Sequence, residues 1–462
     1  MLFRSRLFSY YRALAPQLPD SFAEMEPLFL AVICGCHAGL FREALHEVYI
    51  PRIQRGNAHF AANVLGATGP LLLVLGHFFD HGRWGSLIET AIEGQHLTEE
   101  DQLFILMQSG LYLTATRGMG APETGICYER AEPLCHSVNR PRLLFMQLLG
   151  QLRYTLHSDK LSVAMRIAER VHTLAQEQND AGLMLAAFQV FAAIFYFLGE
   201  FDSAREYARR GIQLWRSGSV QSPVTEEIQA PVVNCLMYEA MSDWHFGEIA
   251  SCHALMDEGI SIARELKDTN ALVLALIFAA GLAYLERDHV EVDRFASEVI
   301  GLSTRHNFVY WLALGAIHRG WARSASGNTA EGIPRIEQGI SDLRATGSTV
   351  LDLPFFLAGK AEALHLADRT PEALKAINEA VAIAERFEHG YCSAELHRLR
   401  GVFFAALGAE EFRIEAAFGE AIRIAKEQKS VSLEKRAEAT FAEYRRQKAG
   451  ALGSHGIRLP LW

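Results

Sequence analysis

A pattern of small residues recurs along this chain at intervals of about 40 residues. Its clearest copy begins at Gly199-Glu-Phe201-Asp-Ser-Ala204 and continues to a further small residue at Gly211. Small residues at helical spacing let two antiparallel helices pack closely across a short turn. Alignment on the Gly211 position gives successive intervals of 40, 40, 48, 40, 40, 41 and 41 residues. The aligned residues are Ala131, Val171, Gly211, Gly259, Val299, Gly339, Ala380 and Ala421.

A fixed period of this length is typical of stacked helical hairpins, because one hairpin cannot bury its apolar face alone. We therefore predict an all-α fold, a right-handed superhelical solenoid of tetratricopeptide-like hairpins. Its helices should be about one turn longer than those of the common repeat of 34 residues. The single long interval contains residues 217–229, which we interpret as an inserted loop.

The repeats are most regular in the middle of the chain, and this regularity divides it into five predicted parts. Ser21 with Glu24, and Thr98 with Asp101, are placed to cap the helices that open two of these parts. The parts are an N-terminal lead over residues 1–20, a helical linker block with one hairpin and an irregular stretch over 21–97, an array of about eight hairpins over 98–427, a capping helix over 428–447 and a loose tail over 448–462.

The composition is that of a folded globular protein, with 50% hydrophobic and 21% charged residues among 462. A net charge of −10 argues against nucleic acid or an anionic membrane as a partner, since both are negatively charged. Seven cysteines, an odd number, lie mostly in apolar helical pattern and predict free thiols in the cytoplasm. No apolar run reaches about 18 residues without a polar or charged break, so we predict no transmembrane helix.

Motifs for catalysis are absent or incomplete in this sequence. The pair Gly359-Lys360 lacks the leading glycine and the following Ser or Thr of a phosphate-binding loop. The run Cys34-Gly-Cys36-His37 supplies metal ligands too close together, and no second cluster accompanies it. We therefore predict no catalysis, no cofactor and no metal. An enzyme site around His77, Asp80 and His81 stays open as a lesser alternative.

Two blocks of the chain resemble known bacterial proteins. Residues 180–440 resemble the tetratricopeptide-like arrays that follow the ATPase module in predicted signalling ATPases and in some LuxR-type and adenylate-cyclase-like regulators. Residues 13–79 resemble the block that precedes the repeats in STAND-type proteins. The segments that carry the two resemblances are Phe195–Ala204, Ile262–Leu266, Tyr310–Ala322 and Ala394–Gly401 for the first, and Ala15–Asp20, Glu24–Phe29, Gly35–Gly39, Glu43–Tyr49 and Arg52–Asn57 for the second.

The resemblance implies a multidomain sensor, in which the repeats detect a partner and an upstream module switches or oligomerises with nucleotide. This chain departs from the family pattern because it has no nucleotide-binding module. Residues 1–5 look like translated adaptor sequence joined to a coding fragment. We therefore expect the chain to be the C-terminal part of a longer protein.

The first helix of each hairpin lines the concave surface of a two-helix solenoid. Counting from the small position in each first helix predicts a mixed set of aromatic, methionine, aliphatic and polar residues, which suits an adaptable groove for a protein or peptide. The set is Gln189, Tyr196, Met237, Met241, Trp244, Ile277, Tyr284, Ile317, Trp321, Glu362, His365 and Phe403. Ordinary packing between repeats would use the same residues, so that alternative stays open.

We predict from these observations a cytoplasmic scaffold that binds a protein or peptide partner on its concave face and performs no chemistry. Neither nucleic acid nor a membrane is an expected partner, and self-association is compatible with the pattern. The alternative function is a structural spacer or self-association module of a LuxR-type or adenylate-cyclase-like regulator.

Overall fold

A computed structural model describes residues 2–56, 60–63, 65–220, 230–347, 350–450, 457 and 459–461. The chain divides into two compact units, Met1–Tyr154 and Thr155–Trp462. The described residues form 22 α-helices, and their only β pairing is an isolated bridge between Phe79 and Leu87. The predicted all-α solenoid of helical hairpins is confirmed. Most of the predicted inserted loop, residues 221–229, lies outside the described part of the chain.

The first unit contains seven helices and the beginning of an eighth, which continues into the second unit. They are α1 (Leu2–Leu14), α2 (Phe22–His37), α3 (Phe41–Glu43), α4 (Phe60–Asn63), α5 (Thr68–Gly76), α6 (Glu99–Arg117), α7 (Pro122–Ser137) and α8 (Pro141–Ser158). Both predicted caps are present, since Ser21 accepts from the Glu24 amide and Thr98 forms a reciprocal capping box with Asp101. The domain boundaries proposed from the sequence stay predictions.

Two elements of the first unit have no counterpart in the repeat pattern. Helix α1 occupies most of the predicted N-terminal lead, and a buried arginine binds carbonyl groups at its end and just beyond it. The guanidinium of Arg52 donates to the carbonyl oxygens of Arg12 and Pro16 at 2.9 Å each. Arg52 belongs to a π-helical segment, Ala44–Gln54, which is unusually long for this rare conformation.

The second unit consists of an alternating series of first and second helices, followed by one last helix. They are α9 (Leu161–Gln178), α10 (Ala181–Leu198), α11 (Phe201–Arg216), α12 (Pro231–Phe246), α13 (Ile249–Glu265), α14 (Thr269–Leu285), α15 (His289–His306), α16 (Val309–Ala325), α17 (Thr329–Ala345), α18 (Leu353–Leu366), α19 (Thr370–Phe387), α20 (Ser393–Ala406), α21 (Glu411–Glu427) and α22 (Val431–Gly450). The even-numbered helices α10 to α20 are the first helices of six consecutive hairpins.

The small and branched residues that define the repeat lie where two helices approach closely. All eight aligned positions, from Ala131 to Ala421, are buried in the second helices of their hairpins. A Cβ atom added to Gly259 would lie 2.3 Å from Met237 Cε, and one added to Gly339 would lie 2.6 Å from Ile317 Cγ1. The period therefore reports the contact between the two helices of each hairpin, as the sequence analysis expects.

Successive first helices contact each other from α10 to α22, and α22 also contacts α12. The last helix thus returns to a hairpin near the beginning of the same unit. Such a return requires that the small rotation between neighbouring hairpins accumulates along the stack.

Helix α10 is apolar enough to require comment. It is 18 residues long, Gln189 is its most polar residue, and it is the one described helix long and apolar enough to cross a membrane. Within the structure 67% of this helix is buried, mainly against α9, α11 and α12. These neighbours account for its apolar composition, because a first helix of the stack is covered on several sides at once.

Candidate functional site

The predicted partner-binding residues lie mostly inside the second unit. Ten of the twelve are buried, and only Gln189 and His365 are partly exposed. Met237 and Ile317 face the second helix of their own hairpin, where they pack against Gly259 and Gly339. These two residues serve the packing alternative that the sequence left open, and a partner-binding role for the whole set stays a prediction.

Three of the predicted residues meet around one carboxylate. Glu362 on α18 is fully buried and accepts a hydrogen bond from the indole nitrogen of Trp321 at 2.7 Å. It also accepts from the Tyr284 hydroxyl at 3.1 Å. The third donor is the guanidinium of Arg287, whose Nη1 lies 2.7 Å from one carboxylate oxygen and 2.9 Å from the other. One carboxylate therefore joins side chains from α14, α16 and the turn after α14.

A second buried carboxylate extends this group towards the last helix. Glu395 on α20 accepts from Arg287 Nη2 at 2.6 Å. Arg398, which is 1% exposed, donates to both oxygens of Glu395 at 2.8 Å each. Arg436 on α22 lies 3.6 Å from the same carboxylate. We call the seven residues the polar cluster: Tyr284, Arg287, Trp321, Glu362, Glu395, Arg398 and Arg436.

Opposite charges in the polar cluster favour the ionised forms of Glu395 and Arg287, whereas burial lowers the pKa of Arg436. Burial would raise the pKa of Glu395, but Arg398, Arg436 and Arg287 outweigh burial and lower it to about 2. Burial would lower the pKa of Arg287, and Glu362 raises it above the usual arginine value. Three guanidinium groups thus surround two carboxylates, which leaves one uncompensated positive charge within the cluster.

Four members of the polar cluster, namely Arg287, Glu395, Arg398 and Arg436, were missed as site residues by the sequence reasoning. The available signal was the placement of Glu395 and Arg398 three residues apart on one face of a first helix. Arg287 had no such signal, because it follows α14 in a turn with a left-handed backbone, φ 66°.

A second set of contacts joins the hairpin α10–α11 to the end of the stack. The amide of Gly390 donates to the carbonyl of Phe197 at 2.8 Å, and the side-chain amide of Gln428 donates to the carbonyl of Gly390 at 2.8 Å. Lys429 pairs with Asp202 across 227 residues of sequence. We call these contacts the closing seam: Phe197, Gly199 and Asp202 on one side, and Gly390, Gln428 and Lys429 on the other.

Next to the closing seam, the beginning of α22 packs on the end of α12. The hydroxyl of Ser430 lies 2.7 Å from His245 Nδ1, and Ser432 donates to the carbonyl of Trp244 at 2.6 Å. The His245 ring stacks on Phe201 at 3.6 Å between centroids. Burial, and to a lesser extent the positive charge of Arg436, lowers the pKa of His245 to about 3. The imidazole is therefore neutral, and α22 is held by hydrogen bonds on this side.

Among the other predicted residues, Tyr196, His365 and Phe403 form ring contacts inside the second unit. Tyr196 packs against Tyr238 and Tyr391, with ring centroids 5.7 Å and 5.6 Å away. His365 lies 5.2 Å from the Phe403 ring, and its Nδ1 is 2.9 Å from the Thr370 hydroxyl. These contacts connect the first helices into a continuous interior.

The enclosed space beside the polar cluster is small. A cavity of about 20 Å³, lined by residues that include Tyr196, Tyr284 and Glu395, has room for about one water molecule. Small-molecule sites usually have volumes of about 300–1,000 Å³, so this cavity does not fit a cofactor. In the described ranges no group of three or more His, Cys, Asp or Glu side chains is arranged to hold a metal ion.

Sequence comparisons give partial matches. Residues 227–284, 342–394 and 385–446 match a protein family described as anaphase-promoting complex subunit 5, and together they cover less than half of the chain. A protein of Rhizobium meliloti (strain 1021), itself described as uncharacterized, is 25% identical over 277 residues. The matched region is 60% of this chain, and the chain spans 27% of that relative's length.

Solved structures with similar folds are helical-repeat proteins. A Rap protein complexed with competence and sporulation factor matches 76% of this chain and 99% of its own, at 9% identity and a TM-score of 0.47. NprR in complex with its cognate peptide NprX matches 76% of this chain and 99% of its own, at 11% identity and a TM-score of 0.46. A STAND protein with a tetratricopeptide repeat sensor from Pyrococcus horikoshii matches 97% of this chain and 72% of its own, at 12% identity and a TM-score of 0.38. No TM-score among these reaches 0.5, so these likenesses carry no argument about what this chain binds.

Proposed function

We propose that this protein is a binding scaffold that recognises a protein or peptide segment on the first-helix side of its second unit and performs no chemistry of its own. The observation that supports it best is the polar cluster, which gathers aromatic and charged groups from four successive first helices and the last helix at one place. Aromatic rings and arginine are the groups enriched at the centres of protein interfaces, and in this chain most of the cluster is buried beneath that side of the unit. A purely structural stack could build the same contacts from apolar residues.

The finer proposal is that the scaffold is the partner-sensing part of a bacterial STAND-like signalling ATPase in the cytoplasm. The resemblance of residues 13–79 and 180–440 to such proteins motivates it. The length of the Rhizobium meliloti relative, of which this chain spans 27%, is compatible with it. An upstream nucleotide-hydrolysing module and an oligomeric assembly belong to this proposal.

A selection of random peptides displayed on phage tests the binding function even though the natural partner is unidentified. The full chain is the immobilised target, and enriched peptides are then titrated in solution by fluorescence anisotropy. We expect one related group of sequences to bind saturably with a stoichiometry of one. The absence of any saturable peptide, or ATP turnover by the purified chain, would contradict the proposal.

The burial of ten predicted binding residues favours a second candidate, a rigid spacer that connects other parts of a longer protein or associates with itself. This candidate predicts no enriched peptide and, for self-association, a sedimentation coefficient that rises with protein concentration. Saturable peptide binding by a chain that stays monomeric would exclude it.

A further inference from the structure

The first-helix side of the second unit already holds a short extended segment of its own chain. Leu459 and Leu461 are 6% and 5% exposed, whereas Pro460 between them is exposed. The segment has neither helical nor strand structure. Side chains that alternate between buried and exposed positions are the mark of an extended chain laid on a surface.

The main chain of this segment is fixed by a member of the polar cluster. Arg398 Nη2 donates to the carbonyl oxygen of Leu461 at 2.7 Å. The same guanidinium donates to the Thr440 hydroxyl on α22 at 3.2 Å and to Glu395 on its own helix. Arg398 thus presents a donor that Glu395 and Thr440 hold in position, and the acceptor is a main-chain carbonyl that any peptide could supply.

This arrangement has the two parts that extended-peptide recognition requires. A main-chain hydrogen bond supplies affinity independent of sequence, and pockets for alternate side chains supply specificity. A buried arginine bound to a carbonyl is also charge-assisted, so the hydrogen bond is stronger than one between neutral groups. The site around Arg398 that holds Leu459 and Leu461, which we call the seat, therefore has the chemistry of a peptide site. The peptide in it comes from the same chain.

We propose that the seat formed around Arg398, between α20 and α22, is a binding site for an extended apolar peptide with leucine at alternate positions, and that residues 459–461 fill it in cis. This proposal rests on the proposed function and names its ligand class. A partner peptide enters when the internal segment leaves, so binding in trans and occupancy in cis exclude each other.

The tethered residues 459–461 should compete strongly with a free peptide for the seat. A segment in the same chain as its site acts at a high effective concentration, because its binding is intramolecular. A free peptide of the same sequence must therefore compete with its tethered copy, and it binds the intact chain weakly. Removal of the two leucine side chains from the tethered copy abolishes the competition and leaves Arg398 in place.

The experiment uses the full chain and a fluorescein-labelled peptide with the sequence of residues 457–462. Fluorescence anisotropy measures its Kd for wild type and for the double variant Leu459→Asp with Leu461→Asp. We expect the double variant to bind at least tenfold more tightly than wild type. Hydrogen exchange should then show peptide-dependent protection on α20 around Arg398 and on α22 around Thr440.

Two controls are matched to this variant. The double variant Leu366→Asp with Leu407→Asp changes two exposed leucines of the same unit, which are 38% and 42% exposed, and should bind like wild type. The labelled peptide carrying Asp at both leucine positions should bind none of the proteins. If the Asp variant does not fold, as judged by its circular dichroism, Leu461→Ala replaces it and should show a smaller gain in the same direction.

Equal affinity of the peptide for wild type and for the tail variant would overturn the proposal, as would a gain in the Leu366/Leu407 control or no binding to any protein. These outcomes are distinguishable from failure of the proposed function. Phage-selected peptides that bind saturably, but are not displaced by the tail peptide in the tail variant, would retain the scaffold function and reject this site.

Discussion

The two sides of the second unit use the same types of charged residue, arginine and glutamate, in different ways. On the first-helix side, Arg287 pairs with Glu395 across 108 residues, and both side chains are less than 10% exposed. On the second-helix side, Arg423 pairs with Glu420 in the next turn of the same helix, and these side chains are 52% and 38% exposed. The buried pair thus connects distant hairpins, whereas exposed pairs on the other side lie within one helix or join neighbouring second helices, as Arg264 and Glu298 do.

Burial decides how much a charged pair affects the stability of a helical stack. An exposed pair within one helix gains little, because water screens the charges and the side chains lose entropy. A buried pair also brings little net stability over an apolar equivalent, but removal of one partner leaves a buried charge without compensation. Removal of one charge on the first-helix side should therefore cost more stability than removal of one on the second-helix side.

The largest effect should follow Glu395→Ala. This change leaves Arg398 buried without its carboxylate and removes one of the two carboxylate partners of Arg287, at a cost of about 3–5 kcal/mol. The midpoint of urea-induced unfolding measures this loss of stability. Glu420→Ala on α21 is the matched control, and its midpoint should lie close to that of wild type. Similar midpoints for the two variants would contradict the distinction between the two sides.

The closing seam offers the next contrast, between two glycines. A Cβ atom at Gly390 would lie 2.0 Å from the carbonyl oxygen of Leu198, so Gly390→Ala must separate main-chain atoms and should cost on the order of 3 kcal/mol. At Gly419 on the second-helix side, nothing lies within 4 Å of an added Cβ. Gly419→Ala should therefore stabilise by about 0.5–1 kcal/mol, because alanine favours the helix. Thermal unfolding followed by circular dichroism should move in opposite directions for the two variants.

Buried histidines should make the first-helix side sensitive to acid. His318 on α16 is 3% exposed, and burial lowers its pKa to about 4. Because an unfolded chain protonates histidine near pH 6.5, the neutral buried ring stabilises the fold above that pH, and this contribution is lost as pH falls towards 4. At pH 5 the loss amounts to about 2 kcal/mol relative to pH 7. His318→Leu should reduce the pH dependence by that amount, and parallel profiles for variant and wild type would disprove the assignment.

Asp352 should make the fold less stable as pH rises, whereas His318 makes it less stable as pH falls. Burial raises its pKa to about 6, although the hydroxyl of Tyr310 donates to it and lowers the value. A raised carboxyl pKa contributes stability below the unfolded value near 3.8, and this contribution is lost as pH rises through 6. Asp352→Asn should thus stabilise the protein at pH 7 relative to pH 4, by about 1–3 kcal/mol. A variant that loses as much stability at pH 7 as at pH 4 would contradict this sign.

The sequence predicts the local parts of this fold better than the contacts between distant hairpins. The positions aligned with Gly211 are buried as expected, because the period records how the two helices of one hairpin touch. The caps at Ser21 and Thr98 follow from neighbouring residues in the same way. By contrast, the closing seam depends on the accumulated rotation of several hairpins, which no single repeat encodes.

The polar cluster shows the same limit at the level of residues. Counting along each first helix identified Tyr284, Trp321 and Glu362, because the helical period places them on one side. It did not identify Arg287, which lies in a turn, or Arg436, which lies on the last helix and reaches the cluster because α22 packs against α20. Residues 459–461 belong to the segment that is predicted from the sequence as a loose tail. The sequence contains no signal that pairs them with Arg398.

The account depends most on the return of the end of the stack to its beginning, and one crosslink tests it directly. A carbodiimide joins an amine to a carboxylate without a spacer, so it should form an amide between Lys429 and Asp202, which mass spectrometry of the digested monomer can identify. Lys426 with Glu438, 3.2 Å apart between two adjacent helices, is the local control. We predict that both crosslinks appear in the native monomer and that only the Lys429–Asp202 crosslink is lost in Gly390→Ala. Formation of the local crosslink without the Lys429–Asp202 crosslink would show that the stack does not close, and would contradict the account.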